Sequence, residues 1–272
     1  LSLAFLIMSK LSFISSNDRK YNVSRALALI KSDITSGLKS AKNVVLKPNC
    51  IVSDYQLAAT HANAIEAVLE FICPHVNSQI ILAEGTTKGD TLEAFKKYNY
   101  FDIQERFDLA LVDLNDDETE LIELLDPKGN IYNAFLPKTI LNADYFISVS
   151  PPKTNFRILF DATISNIFPS SFFSSKDTVA SKLAKSFGIS SNKKLSPELY
   201  SYLHHNIIKL FKKRQISLSI IDGFSSMQGN GPEHEGQTAA THWAIASVDP
   251  IAADILACRL LGIDIEPVKY LY

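Results

Sequence analysis

The chain has only three cysteines in 272 residues, Cys50, Cys73 and Cys258, and no two lie close in sequence. A scattered odd number excludes a disulfide framework, and without any C-x-x-C spacing there is no local zinc or iron–sulfur motif. Reduced, mostly buried thiols and a cytoplasmic location are the expectation. Basic residues are not in excess either. Lys and Arg total 27 against 29 Asp and Glu, a formal net charge of -2, so nucleic acid is not an expected partner. Long apolar runs are also missing. The opening LSLAFLIMSK is too short to span a bilayer and lacks both a basic start and a small-residue cleavage site. Neither a membrane partner nor a signal peptide is expected. Met8 precedes KLSFIS, the first strand pattern, and is expected to be the natural start unless the chain is a fragment.

What the sequence does contain is alternation. Short apolar runs (KLSFIS, NVVLK, QIILA, LALVDL, YFISVS, ISLSII) are separated by helical patterns. Val23, Leu27, Ile30 and Ile34 recur at helical spacing, and so do Ile65, Val68, Leu69 and Ile72. Asp249, Pro250 and Gly262 supply the cap, first turn and end of a last helix. This order predicts one α/β domain over 1–272, with a mostly parallel sheet and helices on both faces. Asp126-Pro127-Lys128-Gly129-Asn130 has turn chemistry and predicts a β-hairpin insertion at 121–136. A Ser- and Lys-rich stretch predicts a helical insertion at 170–214.

In open parallel sheets, ligands bind beyond the carboxyl ends of the strands. Polar groups stand at each expected end: Lys47-Pro48-Asn49, Glu84-Gly85-Thr86, Asp113 with Asn115, Lys153-Thr154-Asn155, and Asp222-Gly223. Taken singly, each reads as an ordinary turn or solvated side chain. Gathered at one edge, they point to a site. Lys47 and Lys153 would attract an anionic group. After Asp222 comes SSMQGNGPEHEG, with Glu233, Glu235 and no Lys or Arg before Ala246. It is neither a dinucleotide fingerprint nor a P-loop. It suits a hard cation or a ligand's hydroxyl and ammonium groups, and His234 and His242 could extend it toward a transition metal. The expected pocket is two-signed. Lysines face Asp222 and the glycine loop across a small polar or anionic ligand, or across a divalent metal held by Asp222, Glu233 and His234. Lys153 and Asp222 are the expected catalytic pair, with Asp222 as general base or metal ligand. Asp249 and Asp254 support the site.

The pieces VVLKPN (44–49), ATHANAIEAV (59–68), AEGT (83–86), VDLN (112–115), ADYFISVSPPKT (143–154), ISNIF (164–168), LSIIDGFSSMQGNGP (218–232) and SVDPIAAD (247–254) occur in this order. The ordered set resembles the family called domain of unknown function 362. The resemblance implies a shared core containing Lys47, Asn49, Lys153, Asn166, Asp222, Gly231, Asp249 and Asp254. Thr60, Glu84, Thr154 and Asn230 lie in the same pieces and complete the expected ligand-binding set. Many relatives carry a ferredoxin-like cysteine cluster, which implies a redox partner protein. This chain departs from the family at Asn155 (usually His), at Ser165 (usually Lys), near Pro169 (usually Gly) and in lacking the cluster. The expected function is binding of a small molecule or metal–ligand complex at the carboxyl edge, with catalysis left open. An iron–sulfur-associated redox accessory protein and a catalytically inactive interaction protein are the alternatives.

Overall fold

The structure is a computed structural model and describes residues 10–126, 128–167 and 197–272. Along the chain the main elements are β1 (Leu11–Ser15), α1 (Arg19–Leu29), α2 (Lys31–Leu38), β2 (Val44–Lys47), α3 (Ala62–Ile72), β3 (Ile80–Glu84), α4 (Thr91–Lys97), α5 (Tyr100–Gln104) and β4 (Leu109–Asp113). They continue with β5 (Thr119–Leu125), β6 (Ile131–Pro137), α6 (Lys138–Leu141), β7 (Tyr145–Ser150), β8 (Lys153–Asn155) and β9 (Leu159–Asp161). The last are α7 (Pro197–Lys213), β10 (Leu218–Gly229), β11 (Gly236–Ser247) and α8 (Pro250–Leu260).

The main sheet runs in the order β1-β11-β10-β7-β2-β3-β4, and from β10 to β4 every pairing is parallel. Alternation along these strands builds two cores, because successive side chains point to opposite faces. Val44, Leu46, Ile147 and Val149 face α1, α2 and α3 on one side. Val45, Phe146, Ile221 and Ile245 face α7 and α8 on the other. The fold is therefore the expected α/β arrangement with helices on both faces.

One region differs from expectation. The stretch after Asp222 is mostly strand. β7 ends at Ser150, opposite Ile221, and β10 runs on to Gly229 by pairing with β11 from Gly223↔Trp243 to Gly229↔Gly236. β11 has no clear apolar alternation in its first half, so only its partner reveals it. The hairpin forms where it was expected. β5 and β6 pair from Thr119↔Pro137 to Leu125↔Ile131. Their inner residues Ile122, Leu124, Ala134 and Leu136 join the core around Phe146, so the hairpin is built into one face of the sheet. The Asn206 side chain of α7 locks onto it, accepting from Leu125 N (3.0 Å) and donating to Leu125 O (2.9 Å). Of the predicted helical segment at 170–214, residues 170–196 and the neighbouring Pro169 lie outside the described residues.

Candidate functional site

The strand ends place Lys47 on β2 and Glu84 on β3 side by side, since these strands pair in parallel through Leu46↔Leu82. Lys47 Nζ donates to both carboxylate oxygens of Glu84, at 2.8 Å each. Glu84 also accepts from Cys50 N (2.9 Å) and Gly85 N (2.8 Å). Lys47 donates further to Asn166 Oδ1 at 3.1 Å, and that same oxygen accepts from Asn49 Nδ2 at 3.0 Å. Asn49 Oδ1 in turn accepts from Lys153 Nζ at 2.9 Å, and Lys153 stands 3.9 Å from Asp161 Oδ2. The result is one chain of groups: Glu84, Lys47, Asn166, Asn49, Lys153, Asp161. Each amide presents its oxygen to an ammonium, which settles its orientation.

All six side chains are buried. Buried charges must be paired and hydrogen-bonded to be tolerated, and these are. Burial pushes the Glu84 carboxyl up despite the pull of Lys47. It pushes the Lys153 ammonium down, partly offset by Asp161 and then Glu84. Cations and anions thus alternate within one network. The negative side expected from Asp222 is supplied by Glu84 and Asp161.

The network opens on a cleft lined by Lys47, Asn49, Glu84, Asp161, Asn155 and Ser165 at its polar end. Ile51, Ile158, Leu203 and Ile207 form its apolar wall, with Arg157 and Pro232 also lining it. The departures from the family pattern at Asn155 and Ser165 fall here. Ser165 Oγ donates to Asp161 Oδ1 at 2.6 Å, and Asn155 Oδ1 accepts from Arg157 N at 2.9 Å.

Other expected residues act as braces. Thr60 Oγ1 accepts from Asn49 N (2.8 Å) and donates to Val149 O (2.7 Å), which fixes the turn after β2. Thr154 Oγ1 donates to Gly229 O at 2.9 Å. Asp249 caps α8 by accepting from Ala252 N at 3.0 Å. Asp254 accepts from Thr163 N and Ile164 N at 3.0 Å each, and also from the Thr163 hydroxyl. It thereby holds the turn that carries Asn166. Burial raises its carboxyl to about 6. Asn230 is exposed. Gly231 is pressed against β8: a Cβ there would lie 2.2 Å from Thr154 O.

The proposed metal trio does not assemble. Asp222 is 2% exposed and pairs with Arg19 Nε at 3.1 Å. Glu233 pairs with Lys88 and Arg157. His234 Nε2 lies 2.9 Å from Asp54 Oδ1, with its ring stacked on Tyr55. Each found a partner on a segment distant in sequence, which no local pattern announced. Among the described residues, no three His, Cys, Asp or Glu side chains gather in a way that could hold a metal. Asp222 instead lines a separate groove with Arg19, Tyr55, His61, Ser225 and Thr238. Sequence reasoning thus missed Asp161 and Arg157 in the cleft and Arg19 and His61 in the groove. Only Asp161 carried a local signal, an acid closing the run RILFD.

Among the described residues, no helix is long and apolar enough to cross a membrane. No curated protein matches the chain. In fold it is similar to the lactate racemase apoprotein from Thermoanaerobacterium thermosaccharolyticum, with a TM-score of 0.56 and 18% identity. That likeness covers 92% of this chain and 56% of the racemase, so the chain spans little more than half the length of that protein. Residues 44–259, from the first buried lysine to the last helix, match the family described as "Domain of unknown function (DUF362)", and the chain belongs to that family.

Proposed function

We propose that this protein binds a small molecule with an anionic head in the cleft at the carboxyl ends of β2 and β3. The observation that carries the reading is the network of four buried charges, Lys47, Glu84, Lys153 and Asp161, which two asparagines link beside an open cleft. Such a network is poor evidence of stability for its own sake, because apolar residues of like volume often serve as well or better. Its position at a sheet edge, with perturbed acids and bases beside a partly apolar pocket, is what ligand sites have in common. Raising Glu84 and lowering Lys153 narrows the difference in their proton affinities, which also suits acid–base chemistry on a bound ligand.

The test is mass spectrometry of any small molecule released on denaturation, followed by calorimetric titration with that compound. If none is released, a panel of small carboxylates that includes lactate takes its place. Asn49→Ala should weaken binding roughly tenfold, about 1.4 kcal/mol, the scale of one lost charge-assisted contact. Unchanged affinity in that variant, with the compound bound elsewhere, would remove the cleft as the site.

A further inference from the structure

The groove beside Asp222 lies on the α1–α3 side of the sheet, whereas the cleft is walled by Leu203 and Ile207 of α7. Its volume is about 360 Å³, enough for a small molecule. Arg19, the first residue of α1, and His61, the cap of α3, line it, and Tyr55, Leu57 and Pro151 give it apolar surface. Arg19 is fixed from several sides. Its Nε stands 3.1 Å from Oδ2 of buried Asp222, its guanidinium lies 4.8 Å from the Phe224 ring centroid, and Nη2 donates to Ser225 Oγ at 3.3 Å. Nη1 has no hydrogen-bond partner among the described residues. His61 is fixed too. Its Nδ1 accepts from Asn63 N at 3.1 Å, so the neutral ring carries its proton on Nε2. That Nε2–H has no acceptor among the described residues.

We propose that this groove is a second ligand site, in which Arg19 and the Nε2–H of His61 take the carboxylate of a small molecule whose apolar body lies against Tyr55, Leu57 and Pro151. Asp222 holds the Nε side of the guanidinium. Nη1 and the second hydrogen of Nη2 are left as an end-on fork, which a carboxylate matches with both oxygens. His61 adds a neutral donor, so it brings no second positive charge. The charge balance selects among ligands. Asp222 already neutralises Arg19, so each further negative charge adds repulsion, and a phosphate brings about two where a carboxylate brings one. An ammonium would meet Arg19 without a free counter-charge, because Asp222 is buried and engaged by Arg19 and by Phe224 N. A neutral amide offers one acceptor oxygen where a carboxylate offers two. Because the groove and the cleft open on opposite faces of the sheet, this site does not depend on the cleft's reading.

The experiment is an NMR titration of the full chain at pH 7 with benzoate, benzamide, benzylamine and inorganic phosphate, following backbone amides, the Arg19 side-chain N–H and the His61 ring. Benzoate should shift Arg19, His61 and Ser225, and the other three should bind at least about tenfold more weakly. Arg19→Lys keeps a cation for Asp222 but removes the fork, and should weaken benzoate about tenfold. His61→Asn keeps a capping oxygen and leaves the Arg19–Asp222 pair intact. It should weaken benzoate several-fold with a melting temperature within a few degrees of the parent, and it carries the test alone if Arg19→Lys does not fold. Benzoate shifts confined to Asn155, Arg157 and Ser165 would place the compound in the cleft, overturning the groove and leaving the cleft as a site. Unchanged affinity in His61→Asn, or no benzoate binding to the parent, would also overturn the groove. Benzamide or phosphate binding as tightly as benzoate would overturn the carboxylate assignment.

Discussion

Two polar sites share one edge of the sheet and neutralise buried charge in different ways. In the cleft, Glu84, Lys47, Lys153 and Asp161 are linked through Asn49 and Asn166, so each ion depends on neighbours that depend on others. In the groove, Asp222 has one cation, Arg19, which also lies 4.8 Å from the Phe224 ring centroid and donates to Ser225 Oγ at 3.3 Å. Burial pushes the Asp222 carboxyl up, with Arg19 as the main opposing pull. The cleft is a coupled network, whereas the groove holds a single pair. A coupled network holds its members in one geometry, which is what a binding site needs.

The largest expected effect breaks the network. Lys47→Met removes the counter-charge of buried Glu84 and leaves one lone pair of Asn166 unfilled. It should cost about 3–5 kcal/mol, the usual penalty for removing one partner of a buried pair. Urea unfolding of the variant measures it. Adding Glu84→Leu to Lys47→Met should recover part of the loss, since the stranded charge is then gone. A loss below about 1 kcal/mol in the single variant would show that the groups are not coupled.

Asp222→Asn should cost less, about 1–3 kcal/mol, the range for leaving a polar partner unsatisfied. Arg19 is near the surface, with a side chain 15% exposed, and keeps Ser225 as a partner. Since Asp222, Glu233 and His234 are paired apart, titration with Mg²⁺, Mn²⁺ and Zn²⁺ should not distinguish the variant from the parent. A metal affinity that falls with the substitution would restore Asp222 as a ligand and reverse the ranking of the two sites.

The smallest effect concerns pH. Burial, then the charge of Arg19, lowers His61 to about 4, and His61 Nδ1 accepts from Asn63 N to cap α3. A histidine lowered in the folded state adds stability that is present above its unfolded value of about 6.5 and lost as pH falls toward 4. His61→Asn retains a capping oxygen without titrating. The melting temperature of the variant should therefore fall less than that of the parent between pH 6.5 and 4. Parallel curves would show that the groove does not titrate in this window.

Much of the fold was legible because it rests on local periodicity. The unbroken apolar run Val44-Val45-Leu46 announces a strand buried on both faces, and Asp249-Pro250 announces a helix start. β11 was not legible, because GQTAATH lacks apolar alternation and becomes a strand only beside β10. The hairpin's place in the core was hidden for a related reason: Ile122 and Leu136 face inward only because Phe146 is there to receive them. Within the site, Lys47, Asn49, Glu84, Lys153 and Asn166 were all singled out, and the structure joins them in one network. Asp161 and Arg157 were not, since they sit on the short β8–β9 excursion, which has almost no sequence signal.

By itself, the amino-acid sequence determined the α/β alternation, the polar ends of the strands and membership of the DUF362 family. These depend on residue type at short spacing, which the backbone reads directly as strand, helix and turn. Which charges meet was decided only by the tertiary structure. Asp222 went to Arg19 and Glu233 to Arg157 and Lys88, while the exposed His234 met Asp54, although nearness in sequence had grouped all three side chains around one metal. The physical reason is that a buried ion takes the counter-charge that the fold brings within a few ångströms, and that distance does not depend on separation along the chain.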